Sequence, residues 1–500
     1  MRDSTTTADV IIVGAGPTGL LLAGDLAAAG VRTIVLERRP AQDENLTRAF
    51  AVHTRTLELL DARGIADELV ATGKKVQDFR LFGTVSIRFA GVQSRYPYLL
   101  VAPQYRTEQL LARRAAEHGV RVIRDARVET VSQHEQGVSV RTVDGTEYRG
   151  SYLVGADGVH SVVREQLGLP YPGVSVVRSV MLADVRLERE PSSTLTVSGA
   201  GGCFAFMVPF GDGWYRVITW DRERQLPDDA PVELSEVAYA MRQALGDDYG
   251  VHDPRWMSRF HSDERQVPRY RQGRVFLAGD AAHCHSPAGG LGMNTGLQDA
   301  ANLGWKLAAV VRGAPERLLD SYHDERYPVG KAALRFSGAL IRNALLGNPV
   351  LRRIRSSLLG GIIRLPMVRS FAIGTVSGLG IRYRAAPGSH RLVGKRAPDI
   401  ALDSAGSRTG VDSGVGNGTN EPRRLYEALR SGRFVLVGAQ VPEAWADRVL
   451  GVRPVEQRLP VMLVRPDGYI AWAGEDANFP EETIRQWLGS QSVSESAHRG

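Results

Sequence analysis

The sequence predicts an α/β protein with three parts: a Rossmann-like domain, a mixed β-sheet domain inserted into it, and a small C-terminal α/β domain. Three observations carry this. A strand, a glycine-rich turn, a helix and a second strand fill residues 10–37. Two later strand patterns end in Gly155-Ala156-Asp157-Gly158 and Ala278-Gly279-Asp280. Between those two, residues 174–220 alternate apolar and polar as a half-buried sheet does.

The elements follow in order. Val10-Ile11-Ile12-Val13 is a short apolar run suited to a central parallel strand. A helix over 20–29 is closed by Gly30, and Thr33-Ile34-Val35-Leu36 is a second strand ending at Glu37. The spacing predicts a helix over 55–69, aromatic-rich β-structure over 79–98, a helix over 108–118 and a strand over 120–123. Residues 128–152 read as a meander with a hairpin turn at Asp144-Gly145. A strand at 152–155 runs into Ala156-Asp157-Gly158, and the inserted sheet follows, carrying Phe204, Phe206, Met207, Trp214 and Trp220. Residues 274–278 form one more strand, followed by a long helix over 295–312. Residues 331–383 are basic and amphipathic, but Pro349, Pro366 and Gly360-Gly361 interrupt them. A helical connector or subunit contact therefore explains them better than a membrane-surface helix. Residues 405–421 read as a surface loop. Strands at 434–437 and 461–464, and a turn at 465–468 leading into 469–472, complete the last domain. The expected boundaries are 1–175 with 265–390, 176–264, and 391–500.

Bulk properties narrow the function. Five hundred residues are too many for one ordinary core. The net charge of +7 comes with arginines scattered along the chain, which favours a solvated basic surface over nucleic-acid binding. The same sign suits an anionic cofactor. Two cysteines, Cys203 and Cys284, imply no disulfide framework, so a cytoplasmic location is expected. The chain reaches its first strand by Asp9-Val10 without a charged-then-apolar leader. The apolar stretch over 10–30 holds Gly14, Gly16, Pro17, Gly19 and Asp25, so no stable membrane insertion is expected. His283, Cys284 and His285 are consecutive and cannot easily face one metal, so no metal site is expected, and the two histidines are expected to have a structural or flavin-loop role.

Two motifs carry chemistry. In Gly14-x-Gly16-x-x-Gly19, the first glycine permits the tight turn. The second lets the backbone approach a pyrophosphate, and the third lets the helix pack on the strand. The helix N-terminus, beginning near Pro17, offers free N–H groups to phosphate. Glu37, at the end of the next strand, is placed to accept hydrogen bonds from a ribose diol. This much indicates a dinucleotide without separating NAD from FAD. The second motif separates them. Asp280 ends a strand, where an acid can bind a ribityl hydroxyl, and the loop through Pro287, Gly290, Leu291, Gly292, Met293 and Asn294 opens a long helix. Such a helix N-terminus can stabilise an anionic reduced flavin.

Together the Gly14/Gly16/Gly19 turn, Ala156-Asp157-Gly158 and Gly279-Asp280 resemble the single-component flavoprotein aromatic hydroxylases of the p-hydroxybenzoate hydroxylase superfamily, over about residues 9–330. Pro103-Gln104-Tyr105-Arg106-Thr107-Glu108 resembles the segment whose Gln contacts the FAD diphosphate region. Leu46-Thr47-Arg48-Ala49 resembles the loop whose Arg lies near the flavin. Residues 283–306 are similar to the polyketide-tailoring branch, including angucycline and anhydrotetracycline hydroxylases. Leu291 stands where that branch more often has Gln. Residues 463–472 are similar to the branch's thioredoxin-like C-terminal domain. Without Cys-x-x-Cys, that domain has a structural role.

The resemblance implies an FAD-dependent monooxygenase. NADPH or NADH reduces FAD, docking transiently without a Rossmann domain of its own. O2 then reaches an electron-rich polycyclic aromatic substrate through a flavin C4a-hydroperoxide. Arg38, Gln104, Val128 and Asp157 join the two motifs at the cofactor. Pro287 lies at the flavin edge, and Arg48 gates the flavin or meets the reductant. Phe204, Phe206, Met207, Trp214 and Trp220 are candidates for the substrate wall. A homo-oligomer is compatible with the basic connector. Alternatives within the fold are an antibiotic-inactivating or Baeyer–Villiger monooxygenase, a non-oxygenating flavin reductase, and a flavin-binding redox sensor. A halogenase is disfavoured because the chain has no Trp-x-Trp pair.

Overall fold

The computed structural model describes residues 6–40, 49–81, 85–192, 194–344, 361, 365–403, 421–475 and 480–489. The first strand, Thr6–Val13, pairs in parallel with Thr33–Leu36 on one side and Glu147–Gly155 on the other. Arg121–Ile123 extends the sheet beyond the former, and Val275–Leu277 beyond the latter, both in parallel. Strand order therefore reverses at Thr6–Val13. The crevice beyond the carboxyl ends of the strands at such a reversal is where open α/β sheets bind ligands. Helices cover the sheet, so its strands read as continuous apolar runs: Ile11, Val35, Val154 and Phe276 have no exposed surface.

Two helices meet over this crevice. Pro17–Ala28 follows the first strand, and Leu291–Val311 follows the last. Small residues let them approach: a Cβ on Gly296 would overlap the Thr18 hydroxyl, and one on Gly304 would stand 3.3 Å from the Asp25 Cβ. The later helix begins at Leu291, earlier than the spacing predicts, because the glycine-rich run is its first turn rather than a loop before it. The helix expected over 55–69 is divided into Thr54–Asp61 and Ala66–Ala71 by a turn through Gly64. In the basic connector, Asp320–Ala344 is one long helix with Pro328 inside it, and a further helix, Pro366–Ser377, starts at Pro366; Pro349 and Gly360 lie outside the described residues.

The second sheet has six strands and is antiparallel throughout. Its order is Thr196–Ala200, Cys203–Pro209, Tyr215–Asp221, Gly173–Leu187, Val251–Gln266 and His283–Cys284. Val251–Gln266 was not legible, because its start, His252-Asp253-Pro254-Arg255, breaks the alternation. The last strand comes from the segment just after Asp280, with Cys284 opposite Arg265 and His283 opposite Gln266. This edge ties the glycine-rich loop to the sheet. Successive side chains point to opposite faces. Cys203, Ala205 and Met207 pack with Val237 and Met241 of the covering helix Leu234–Leu245. Phe206, Val208, Ile218, Trp220 and Phe260 pack in the cluster on the other side, with Phe50, Ala288 and Phe336.

The C-terminal unit is a mixed four-stranded sheet, ordered Val449–Val452, Phe434–Val437, Val461–Val464 and Ile470–Gly474, with the helix Glu481–Leu488. It docks on Leu291–Val311, where Trp305 meets Phe434 and Trp487 at ring distances of 5.4 and 5.6 Å. No helix among the described residues is long and apolar enough to cross a membrane.

Candidate active site

A cavity of about 990 Å³ opens at the reversal of the parallel sheet. Gly14, Gly16 and Pro17 line it from the first turn, and Glu37 and Arg38 from the end of the second strand. Gln104, Val128 and Asp157 add to the same wall. Asp280, Pro287, Gly290, Leu291, Gly292 and Met293 line it from the other end of the chain. Segments more than 250 residues apart in sequence, by the numbers of Gly14 and Asp280, thus share one space.

The first turn is shaped by backbone contact. Gly14 has φ +104°, and a Cβ there would overlap the Ala156 carbonyl oxygen. Gly16 is different: a Cβ there meets nothing within 4 Å, so its backbone faces open cavity. Gly19 lies behind, its α-carbon pressed on Gly14 as helix–strand packing requires, and does not line the cavity. Glu37 anchors the turn. Its carboxylate accepts from Ala15 N at 2.7 Å and from Arg39 N at 2.9 Å. Burial alone would raise its pKa, but these hydrogen bonds and the Arg39 guanidinium hold it below the usual carboxylate value. Gln104 opens the helix Gln104–Glu117 and donates to Glu108 at 2.7 Å.

Asp157 shows a site that lacks a partner. Its Oδ2 accepts from Val163 N at 3.2 Å, while the buried Oδ1 has no hydrogen-bond partner among the described residues. Burial pushes its pKa up. Two of the helices that reach the cavity, Pro17–Ala28 and Leu291–Val311, begin without a side-chain cap hydrogen bond. Uncapped N–H groups and an open glycine backbone are what a dinucleotide with a diphosphate would satisfy. The residues fit FAD.

Several expectations need correction. Asn294 does not line the cavity; its side chain is spent inside the protein. It accepts from His53 N at 2.9 Å and donates to Ala51 O at 2.8 Å and Gly290 O at 2.7 Å. His53 assists by binding the Gly289 carbonyl at 3.0 Å, and burial lowers its pKa to about 4. Met207 points away from the cavity into the core under Leu234–Leu245. Phe204, Phe206, Trp214 and Trp220 do not line the cavity either, although Phe206 reaches its wall through Phe50, at a ring distance of 5.3 Å. Trp214 lies under the guanidinium groups of Arg186 and Arg255. Arg48 lies outside the described residues. Sequence reasoning missed Phe50, Phe260, His261 and Ser262, which line the cavity without any signal in the sequence. His285, expected to have a structural or flavin-loop role, lines it too, as does Ser286 beside it.

The family described as an FAD binding domain matches residues 7–337, and that described as aromatic-ring hydroxylase, C-terminal, matches residues 390–491. The chain belongs to the FAD-dependent aromatic-ring hydroxylases. Among relatives of this hydroxylase, the rifampicin monooxygenase of Streptomyces venezuelae is 38% identical over 97% of the chain and 99% of its own length. The 12-dehydrotetracycline 5-monooxygenase/anhydrotetracycline 6-monooxygenase of Streptomyces rimosus is also 38% identical, over 97% of the chain and 99% of its own length. Among solved structures, the anhydrotetracycline hydroxylase OxyS from Streptomyces rimosus superposes with a TM-score of 0.82 at 36% identity, covering 97% of this chain and 100% of that one. The protein is therefore an FAD-dependent monooxygenase, and its cofactor is FAD. The hydroxylase family assigned from the three sequence motifs is confirmed.

Proposed function

We propose that this hydroxylase oxygenates a polycyclic aromatic compound of the polyketide type, using NAD(P)H as reductant and O2 as oxygen source. The observation that carries the reading is the convergence of the Gly14 turn and the 287–293 loop on one cavity. The adenosine end of FAD would lie at Glu37 and Arg38, its diphosphate at Gly16, Pro17 and Gln104, its ribityl chain at Asp280, and its ring at Pro287 and the N-terminus of Leu291–Val311. FAD supplies the electron transfer and oxygen chemistry that no protein side chain can.

The chain's own residues supply binding, orientation and dryness. The N-terminus of Leu291–Val311 brings N–H groups and partial positive charge to the place where negative charge gathers on reduction. Asn294 and His53 hold that turn in position. Phe50 and Phe260 give the cavity an apolar wall that suits flat rings, and the sheet face bearing Phe206, Ile218 and Trp220 packs in the same cluster behind them. Phe204 shares that face, and Met207 takes no part. Arg48 keeps its proposed role towards the reductant. Relatives of equal identity are named for rifampicin and for tetracycline precursors, so a class of substrate is proposed rather than a single molecule. The free, buried Cys203 and Cys284 support a cytoplasmic location.

The test uses the purified yellow holoenzyme with NADPH, isotopically labelled O2 and a panel of polycyclic phenols. At least one phenol is expected to accelerate NADPH oxidation and to gain one labelled oxygen atom. A holoenzyme whose NADPH oxidation no phenol accelerates would overturn the hydroxylase reading while leaving FAD binding intact.

A further inference from the structure

The arginines of this chain are scattered, but its acids are not. Between Glu325 and Asp399 there are 14 lysines and arginines and no aspartate or glutamate. The net charge of +7 therefore arises in this stretch, and outside it acids outnumber bases.

Two helices carry the described part of the stretch outward. On Asp320–Ala344, Lys331, Arg335 and Arg342 are exposed, and their spacing of four and seven puts them on one face. Arg342 reaches Glu264 only at 3.6 Å, with most of its side chain in solvent. Pro366–Ser377 turns Ile373 and Val376 inward, into the apolar cluster that also holds Ile341 of the first helix. Its other face points out. Met367 is 85% exposed and Phe371 70%, one helical turn apart, and Leu365 just before the helix is 56% exposed. Arg369 and Ser370 are exposed beside them. Pro366 starts this helix rather than breaking it. A single exposed apolar residue is ordinary, but three within seven positions mark a contact surface.

The charge selects the partner. A second copy bound through a two-fold axis would set this face against itself and bring like charges together, with no carboxylate in the stretch to offset them. A nucleic acid would use the bases and leave Met367 and Phe371 in water. An anionic lipid surface satisfies both, since headgroups attract the bases while the apolar side chains enter the boundary with the acyl chains. No helix among the described residues is long and apolar enough to cross a membrane, so the contact is peripheral. The sequence pattern alone favours a connector or subunit contact here; the outward direction of Met367 and Phe371 is what the pattern does not contain.

We propose that the outer face of Pro366–Ser377, with the exposed bases of Asp320–Ala344, docks this enzyme reversibly on an anionic lipid surface. Met367 and Phe371 enter the headgroup boundary, and Arg335, Arg342 and Arg369 meet the headgroups. The proposal stands apart from the identity of the substrate.

The test uses the full-chain holoenzyme and two kinds of vesicle, phosphatidylcholine alone and an equal mixture with phosphatidylglycerol. Co-sedimentation is measured at low and at high sodium chloride. Wild type is expected to sediment with the mixed vesicles at low salt and to remain in solution with phosphatidylcholine alone. Met367→Ser/Phe371→Ser should partition about tenfold less. Arg335→Gln/Arg369→Gln should also lose about tenfold at low salt, and less at high salt, where screening already weakens the wild type. Both variants should keep the FAD content and melting temperature of wild type, because the altered side chains lie in solvent. Wild type that stays in solution with the mixed vesicles overturns the proposal, whether or not it binds a DNA duplex instead. Met367→Ser/Phe371→Ser that binds as wild type does also overturns it. So does a wild-type dimer, seen by light scattering, that this variant converts to monomer. If Met367→Ser/Phe371→Ser does not fold, the arginine variant decides: weaker binding supports the proposal and unchanged binding overturns it.

Discussion

Gly14 and Gly16 are two positions apart in one motif, yet they constrain the protein in separate ways. Gly14 has a left-handed φ of +104°, and any Cβ would collide with the Ala156 carbonyl. Gly16 has φ −78°, which any residue adopts, and open space where a side chain would go. Gly14→Ala should therefore damage the fold itself, by about 2 kcal/mol or more from backbone strain and the displaced neighbouring strand. Gly16→Val should fold with an unchanged apoprotein melting temperature and yet lose the flavin, because its side chain occupies the diphosphate space. Flavin absorbance and thermal melts of the two apoproteins separate the effects. A Gly16→Val protein that purifies fully yellow would contradict the diphosphate placement. At this scale the sequence was most informative. Each glycine, Glu37 and Asp280 acts through backbone geometry or a single carboxylate, and such demands are written locally. Met207 shows the limit. Its strand alternates Cys203, Phe204, Ala205, Phe206, Met207 with apolar residues on both faces, so composition alone cannot tell which face meets the cavity. That depends on where Leu234–Leu245 lands.

Leu291–Val311 is the element on which the site depends, because it meets the cavity at its first turn and the C-terminal unit near its end. The buried groups along it carry charge in compensated sets. Lys306 Nζ donates to Glu325 Oε2 at 2.8 Å and to Asn302 Oδ1 at 2.9 Å. Arg465, from the C-terminal unit, donates to Glu325 Oε1 at 2.7 Å. Burial lowers the Lys306 pKa to about 8 even though Glu325 opposes the shift. Glu325 has its own pKa held far below normal, because Arg465 and Lys306 outweigh its burial. Glu325→Leu would leave two buried cations sharing only Asp467 and Asn302. The expected loss is about 3–5 kcal/mol, the scale of breaking a buried pair from one side. Chemical denaturation of the holoenzyme measures it. A loss under about 1 kcal/mol would show that Lys306 sheds its proton and the cluster relaxes. None of this network was legible in the sequence. Its members are spread from 302 to 467, and nothing in one chain marks a charged residue as buried until the helices are packed. The start of the helix was misplaced for a related reason: Gly292 is a poor helix former, and only the packing of Gly296 on Thr18 rewards the extra turn.

At the scale of the molecule, the C-terminal unit is built into the flavin domain rather than tethered to it. Trp305, Ala314 and Leu318 of the flavin domain share one apolar cluster with Phe434, Leu463, Ile484 and Leu488. Polar contacts repeat the arrangement on another helix. Arg55 of Thr54–Asp61, two residues from the His53 that holds the flavin loop, donates to Tyr426 OH at 2.7 Å and to the Asp467 carbonyl. Asp61, at the end of the same helix, pairs with Arg424 and with Arg430 at 3.0 Å. Arg326 joins the two regions most directly, since one guanidinium donates to Asp299 beneath the glycine-rich loop and to Tyr383 OH, whose ring lies 4.2 Å from that of Tyr469. Leu291–Val311 thus has its first turn at the cavity and Trp305 in the C-terminal cluster, while Thr54–Asp61, whose N-cap His53 holds the flavin loop, meets the C-terminal unit along its length. A chain ending at residue 389 should expose the Trp305 face and strip Asp61 of both arginines. The expected outcome is aggregated or colourless protein, read by size-exclusion chromatography and flavin absorbance. If that truncated chain were instead monodisperse and yellow, the flavin helices would be held by the first two sheets alone, and the C-terminal contacts would not be needed to position the loop.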